Sequence, residues 1–235
     1  MLVLRTFGGL SLSRGEEDLT GAITQRRRLA ILALLAVAQQ SGMSRDKLQA
    51  YLWAEADAER ARHVLNQLLY AQRRQLGEGA LFLGRKTLRL NPLVITADVG
   101  AFETALDRHE LEEAVARYRG PFLDGFFLRD APEFERWAED QRSRLARRNL
   151  TALAALAGKA AASGDHGAAA AWWRRAVAAD PFDSPAAVGL VESLAASGDL
   201  SGALREGRRH TELVRRELGV AADPRLTQLL ARLSS

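Results

Sequence analysis

Residues 24–92 contain three predicted helices followed by two short predicted strands, in an order that few folds can accommodate. The first segment, 25–40, is apolar on most of its sides, and Thr24 before it is a residue type that caps helices. A helix that is apolar all round has to be buried. We therefore expect 25–40 to form the core helix of a small domain.

Two further helices are predicted after this one, a short helix at 45–54 and a longer helix at 58–76. Ser44 and Asp57 precede them, and both residue types accept backbone hydrogen bonds at helix starts. Gly77 follows the longer helix, as glycine commonly does. Apolar residues recur at helical spacing in the longer helix, so one side is predicted to be buried. Its opposite side carries Arg62, Asn66, Gln67, Tyr70, Arg73 and Arg74.

A pair of short strands completes the set. The segments 81–83 and 87–90 alternate as strands do, with Gly84, Arg85 and Lys86 between them as a turn. Three helices followed by such a hairpin are typical of a winged helix-turn-helix, and we call the hairpin the wing. Arg, Asn and Gln read base edges in the major groove, while Arg and Lys neutralise phosphates. The order and the residue types together predict DNA binding.

The distribution of charge agrees with this prediction. Residues 1–95 hold 14 basic and 8 acidic side chains, whereas residues 96–235 hold 19 basic and 21 acidic ones. A positive first part and a slightly negative second part are what binding of DNA by the first part requires. The alternative is a protein-interaction module in which the helical part binds a partner and the winged helix is structural, and that alternative does not need the positive charge to be confined to residues 1–95.

The length of 235 residues and the hydrophobic content of 47% are enough for two cores. We predict a winged helix-turn-helix domain at 1–95 and an all-α domain at 96–235, because after Pro92 no further strand is expected and alanine becomes more frequent. The chain is therefore expected to be mainly α-helical with a small β part.

An internal repeat lies in the helical part. The residues Ala-Ser-Gly-Asp at 162–165 recur at 196–199, and the shift of 34 residues is the tetratricopeptide period. In the first copy Ala169 and Ala176 stand where paired helices approach closely. In the second copy His210 takes the position of Ala176, so the repeat is expected to give way to a long capping helix. The second domain is thus predicted to be tetratricopeptide-like.

Catalysis, cofactors and metals are not expected. The four histidines, His63, His109, His166 and His210, are scattered without metal-ligand spacing, and no phosphate-binding loop is found. The chain contains no cysteine, which excludes disulfides and thiolate chemistry. The longest apolar run is about half as long as a membrane span, and the first residues alternate too regularly for a signal peptide. We expect a soluble, cytoplasmic protein with no membrane partner.

Short motifs in a fixed order extend along nearly the whole chain: Arg26-Arg27-Arg28-Leu29-Ala30, Leu52-Trp53, Leu65-Asn66-Gln67-Leu68-Leu69-Tyr70, Arg73-Arg74-Gln75-Leu76-Gly77, Arg119-Gly120-Pro121-Phe122-Leu123-Asp124-Gly125-Phe126, Phe134-Glu135-Arg136-Trp137, Glu217-Leu218-Gly219-Val220 and Asp223-Pro224. Each motif is short, and the ordered set is specific. In this set the chain resembles the SARP class of bacterial transcriptional activators, which join a winged helix to a helical bacterial transcriptional activation domain.

The resemblance implies an activator that binds direct repeats in promoter DNA and recruits RNA polymerase, with copies side by side on the double-stranded DNA. The third helix would enter the major groove, and the tip of the wing, Arg85 and Lys86, would contact phosphates. Trp53 would donate its indole N–H to a phosphate oxygen, or would be a core residue. The residues facing bases or nearby phosphates would be Asn66, Gln67, Tyr70, Arg73 and Arg74.

The chain departs from this class immediately before Arg73. The class usually has an Arg-Leu pair there, whereas this chain has Ala71 and Gln72. Ala71 removes a DNA contact, and Gln72 places an amide at a seam that is usually apolar. We expect the site preference or the DNA affinity to differ from those of the class.

Overall fold

The structure is a computed structural model that describes residues 1–21, 26–76 and 80–234. The predicted helix ends at Thr24, Gln25 and Gly77 lie outside the described residues. Contacts divide the chain into two units, Met1–Ala146 and Arg147–Ser235, and the division falls within one long helix. The domain boundary predicted after residue 95 stays a prediction.

The first unit contains a sheet of four strands, β1 Leu2–Arg5, β2 Ser11–Arg14, β3 Glu17–Asp18 and β7 Ile95–Ala97. Their order in the sheet is β3-β2-β1-β7. Strands β1 and β2 are antiparallel, whereas β1 and β7 are parallel, with Leu2 opposite Ile95. The expectation of no strand after Pro92 is therefore wrong. A strand of three residues shows little alternation, and its partner β1 lies 93 residues earlier in the chain.

The helices and the wing follow the predicted order. Their bounds are α1 Arg26–Ala38, a 3₁₀ turn at Gln39–Ser41, β4 Met43–Ser44, α2 Arg45–Leu52, α3 Ala58–Gln75, β5 Phe82–Leu83 and β6 Thr87–Leu90. Both predicted caps are confirmed. Ser44 Oγ accepts a hydrogen bond from the Lys47 amide (3.2 Å), and the Asp57 carboxylate accepts from the amides of Glu59 and Arg60 (3.0 and 3.1 Å). The core interpretation of α1 is also confirmed, since all its residues from Leu29 to Ala36 are buried.

Three more helices belong wholly or partly to the first unit: α4 Asp98–Asp107, α5 Leu111–Arg117 and α6 Pro132–Ala162. The Asp98 carboxylate links α4 to the end of β1. It accepts hydrogen bonds from the Thr6 amide (2.8 Å), the Thr6 hydroxyl (2.6 Å) and the Phe7 amide (3.1 Å). Thr6 is fully buried, so this carboxylate satisfies polar groups that water does not reach.

The second unit repeats one turn geometry at an interval of 34 residues. Asp165 accepts from the Ala168 amide (2.9 Å) and Asp199 from the Gly202 amide (2.8 Å), so each aspartate caps a helix. The glycine before each aspartate has positive φ, 80° at position 164 and 88° at position 198. The helices are α7 His166–Ala179, α8 Ser184–Ala196, α9 Leu200–Leu218 and α10 Pro224–Ser234. The repeat and the long helix that follows it are confirmed.

Close packing accompanies this repeat. Ala169, Ala176 and Ala203 are buried. His210, at the position equivalent to Ala176, is also buried and lies within hydrogen-bonding distance of Ser184 Oγ (3.2 Å) and the Pro181 carbonyl (3.1 Å). A polar side chain is accommodated here because both ring nitrogens have partners.

Charged residues run along the first half of α6, which has 31 residues and is the longest helix described. Across the described ranges, no helix combines the length and the apolar character that crossing a membrane requires.

Enlarging Ala169 to Leu should lower the free energy of unfolding by about 1–3 kcal/mol, because a well-packed helix pair has no room for three further carbon atoms. Thermal unfolding measures the effect. Ala171→Leu is the matched control, since Ala171 lies on the same helix and is exposed. An equal melting temperature for the wild type and Ala169→Leu would show that α7 does not pack as closely as described.

Replacing Asp98 by Asn should destabilise the first unit by about 1–3 kcal/mol, because the amide group has one acceptor oxygen where the carboxylate has two. Urea unfolding of the variant tests this. Asp140→Asn, at an exposed position on α6, should change the stability by less than about 0.5 kcal/mol. Similar effects of the two substitutions would contradict the role assigned to Asp98.

Candidate nucleic-acid interface

Helix α3 has one buried and one exposed side. Ala61, Leu65, Leu68, Leu69 and Gln72 are buried. The exposed side, which we call the α3 face, consists of Arg62, Asn66, Gln67, Tyr70 and Arg74. These five residues are spaced by three or four positions or are adjacent, so they form one stripe along the helix. Five of the six residues predicted for this side are therefore brought together.

Tyr70 is the large hydrophobic residue of the stripe, and 67% of it is exposed. Gln67 Nε2 lies 2.7 Å from Nε2 of His63, one turn earlier on the same helix. An aromatic ring and two amides between two arginines offer apolar contact, hydrogen bonding and positive charge on a single face. Such a surface is suited to the edges of bases and the phosphates beside them.

Arg73 does not belong to the α3 face. It is half-buried, its Nη2 donates to the Phe82 carbonyl at 3.4 Å, and its guanidinium lies 5.8 Å from the centre of the Phe82 ring. Arg73 thus connects α3 to the first strand of the wing. The position of Arg73 in the helix does not predict this contact, because Phe82 belongs to a strand that packs beside the end of α3.

The tip of the wing carries the exposed side chains of Arg85 and Lys86. Strand β6 pairs with β5 and also with β4, which directly precedes α2. The second strand of the wing is therefore paired on both sides, with β5 of the same hairpin and with β4 at the start of α2. Both cations project from a tip that is anchored on two sides.

Trp53 is the C-cap residue directly after α2, and it is half-buried against the core of the first unit. Its ring lies 5.9 Å from the Arg27 guanidinium. Both residues also line an open groove with Val64 and Leu68. The ring contributes to packing, and the hydrogen bond from its indole to a phosphate stays a prediction.

Arg45 is a residue of the candidate interface that the sequence analysis missed. Its backbone amide donates to the Lys86 carbonyl (3.1 Å), its Nε to the Arg85 carbonyl (2.6 Å), and its Nη1 to Asn66 Oδ1 (2.6 Å). It therefore joins α2, the tip of the wing and the α3 face. Burial lowers the pKa of Arg45, and the charge of nearby Arg73 lowers it further. The only sequence signal was an arginine directly after the cap Ser44.

Comparisons with known proteins show a family for residues 96–234 and a similar fold for the whole chain. The family model described as the bacterial transcriptional activator domain matches residues 96–234. No curated protein matches the chain. A solved structure of EmbR from Mycobacterium tuberculosis, in complex with a low affinity phosphopeptide, has a TM-score of 0.69 and 23% sequence identity. The match covers 99% of this chain and 65% of the EmbR chain. The predicted fold class and the resemblance to SARP-type activators are confirmed.

The two positions that depart from this class lie on the inner side of α3. Ala71 is half-buried and Gln72 is fully buried. Gln72 Nε2 donates to the Arg28 carbonyl at 2.9 Å, whereas its Oε1 has no hydrogen-bond partner among the described residues. The amide predicted at an apolar seam is therefore present. Its nitrogen has a hydrogen-bond partner, and its oxygen has none among the described residues.

Gln72→Leu should raise the free energy of unfolding by about 1 kcal/mol, because it removes a buried acceptor and keeps a side chain of similar volume. Gln72→Ala is the contrasting variant and should lower stability by about 2 kcal/mol through the cavity it leaves. Guanidinium unfolding distinguishes the two. If Gln72→Leu is less stable than the wild type, the amide contributes more through Arg28 than it loses through its oxygen.

Proposed function

The chain belongs to the bacterial transcriptional activator domain family, and from this premise we propose that it is a sequence-specific DNA-binding activator of transcription. One observation carries the proposal: the α3 face joins amides, an exposed tyrosine and arginines, and the Arg45 contacts connect it to a cationic wing tip. Helix α3 would enter the major groove and the wing would contact the backbone beside it.

The division of labour follows from the side chains. Asn66 and Gln67 have the amide groups that read base edges, and Arg62 and Arg74 have the charge for phosphates or guanine. Arg85 and Lys86 would neutralise phosphates next to the groove. Trp53 would add an indole donor at the end of α2. Arg73 would act from behind this surface, by holding α3 against the wing.

The charge map supports DNA as the partner. The excess of basic residues lies within residues 1–95, where the α3 face and the wing are found. Phosphate contacts supply much of the affinity of DNA-binding proteins, and they need positive charge at the contact surface. Residues 96–235 have no such excess.

We further propose that copies of the protein bind direct repeats in promoters side by side and recruit RNA polymerase. The family supports this, since its members are transcriptional regulators and not enzymes. We accordingly propose no catalytic activity and no bound cofactor. This chain spans about two thirds of the EmbR chain, at 65% of its length.

The alternative function is a protein-interaction module. One observation favours it, a cleft of about 360 Å³ within the second unit, between α7 and α9. Its floor includes Val177, Leu190 and Leu213, and Arg174 and Arg209 also line it. Stacked helix pairs bind peptides in such clefts. This alternative predicts that charge changes on the wing leave the function unaffected.

Lys86→Ala should weaken binding to all duplexes alike and reduce the slope of log affinity against log salt by about 0.9, because one phosphate contact and its released counterion are lost. Asn66→Ala should instead cost about 1–3 kcal/mol on the preferred site only. The preferred site is obtained by selection from a random duplex pool, and fluorescence anisotropy over a salt series measures both effects.

Lys159→Ala is the matched control, since Lys159 is an exposed lysine of the second unit. It should change neither the affinity nor the slope. If Lys86→Ala and Asn66→Ala both behave like this control, the α3 face and the wing do not bind DNA, and the interaction module becomes the better assignment.

A further inference from the structure

Three helices of the second unit surround a cleft whose shape is fixed by their own contacts. His210 on α9 is buried, and its ring nitrogens lie 3.1 Å from the Pro181 carbonyl oxygen and 3.2 Å from Ser184 Oγ. Both nitrogens are thereby engaged, and α9 is tied to the start of α8 and to the turn before it. Gly189 of α8 packs so closely against the ring of Trp173 on α7 that no room remains for a Cβ atom at position 189. A ligand therefore does not have to rearrange these helices to enter the cleft.

The lining of the cleft is mainly apolar. Val177, Leu190 and Leu213 provide its larger apolar side chains. Ala178 and Ala187 contribute short side chains, and a volume of about 360 Å³ is left open between the helices. An apolar space of this size with a few polar groups around it is typical of sites for small molecules.

Three charged residues line the cleft, and one positive charge among them has no direct partner. Glu206 Oε2 lies 3.6 Å from Arg209 Nη1, so these two residues form an ion pair. Arg174 makes no hydrogen bond or ion pair with another described residue. The pKa of Asp199 is lowered most by the hydrogen bond from the Gly202 amide and least by the charge of Arg174, so this carboxylate compensates Arg174 only weakly. An anion in the cleft would give the guanidinium of Arg174 the acceptor that the protein does not provide.

The extent of the cleft favours a small molecule over a peptide. Repeat proteins present extended concave surfaces when many repeats are stacked. The described residues that line this cleft all belong to α7, α8, α9 and the turn between α7 and α8. The surface is therefore short, and a ligand that fills it has to be compact.

From these observations we propose that the second unit binds a small organic anion, namely a carboxylate with an apolar body. The apolar body lies against Val177, Leu190 and Leu213, and the carboxylate accepts hydrogen bonds from the Arg174 guanidinium. This inference does not rest on the proposed DNA binding, and either can fail without the other.

The test titrates the full chain with sodium decanoate in isothermal titration calorimetry. Decyltrimethylammonium has an alkyl chain of the same length with a positive head group, and acetate has the carboxylate without the apolar body. Decanoate should bind at a one-to-one ratio, and at least about tenfold more tightly than decyltrimethylammonium, because only decanoate makes the charge-assisted hydrogen bonds. Acetate should show no binding.

Substitutions of Arg174 test the assigned cation. Arg174→Gln should weaken decanoate binding by about tenfold, because a hydrogen bond between two charged groups is lost. Arg174→Lys, which keeps the positive charge, should retain most of the affinity. Arg216→Gln is the matched control, since Arg216 is an exposed arginine of α9 that does not line the cleft, and it should leave the affinity unchanged.

Filling the cleft tests its location. Ala178→Phe should abolish decanoate binding, because the ring occupies the space of the alkyl chain. Ala178 is exposed, so the fold should tolerate the substitution, and thermal unfolding checks this. Ala171→Phe is the matched control at an exposed position of the same helix outside the cleft, and it should bind decanoate like the wild type.

Three results would overturn the inference: no saturable binding of decanoate, equal affinities for decanoate and decyltrimethylammonium, or full decanoate affinity in a folded Ala178→Phe variant. Equal losses in Arg174→Gln and Arg216→Gln would also overturn it, because the anion would then respond to the net charge and not to the cleft.

Discussion

Helix α1 is buried around its whole circumference, and the arrangement of the first unit follows from this. Eight consecutive residues, Leu29 to Ala36, are removed from solvent, so every side of the helix has to be covered. Helices α2, α3 and α4 and strand β6 all contact it. The inward side of α3 and the second strand of the wing are thereby fixed to one core. The polar side of α3 is exposed because its apolar side is packed against this core.

The candidate interface depends on a few polar contacts placed on this core. Arg45 connects the start of α2 to the wing and to Asn66, and Arg73 connects the end of α3 to Phe82. Both arginines donate hydrogen bonds to acceptors within the protein, and these donor groups are not free to bind phosphate. Positive charge in this unit therefore has two roles, since some cations hold the candidate interface together and others, such as Lys86, are exposed.

The local features were predictable because their causes are local. The caps Ser44 and Asp57 and the recurring turn at 162–165 and 196–199 depend on residue types within one helical turn. Five of the six residues predicted for the exposed side of α3 form the α3 face, because helical spacing alone separates the two sides of the helix. Strand β7 and the inward turn of Arg73 were not predictable in this way, since each depends on a partner elsewhere in the chain.

The sequence by itself determined the first three helices and the wing, the 34-residue repeat, the concentration of positive charge in residues 1–95 and the class of protein that the ordered motifs indicate. These properties are set by composition and by spacing along the chain. Only the tertiary structure decided which polar atoms are left to bind a ligand. Asn66 turns its amide oxygen towards Arg45, 21 positions earlier in the chain, because Arg45 is held beside it by α2 and the wing. Hydrogen-bonding capacity is a property of a residue type, but its availability depends on the atoms that folding brings beside it.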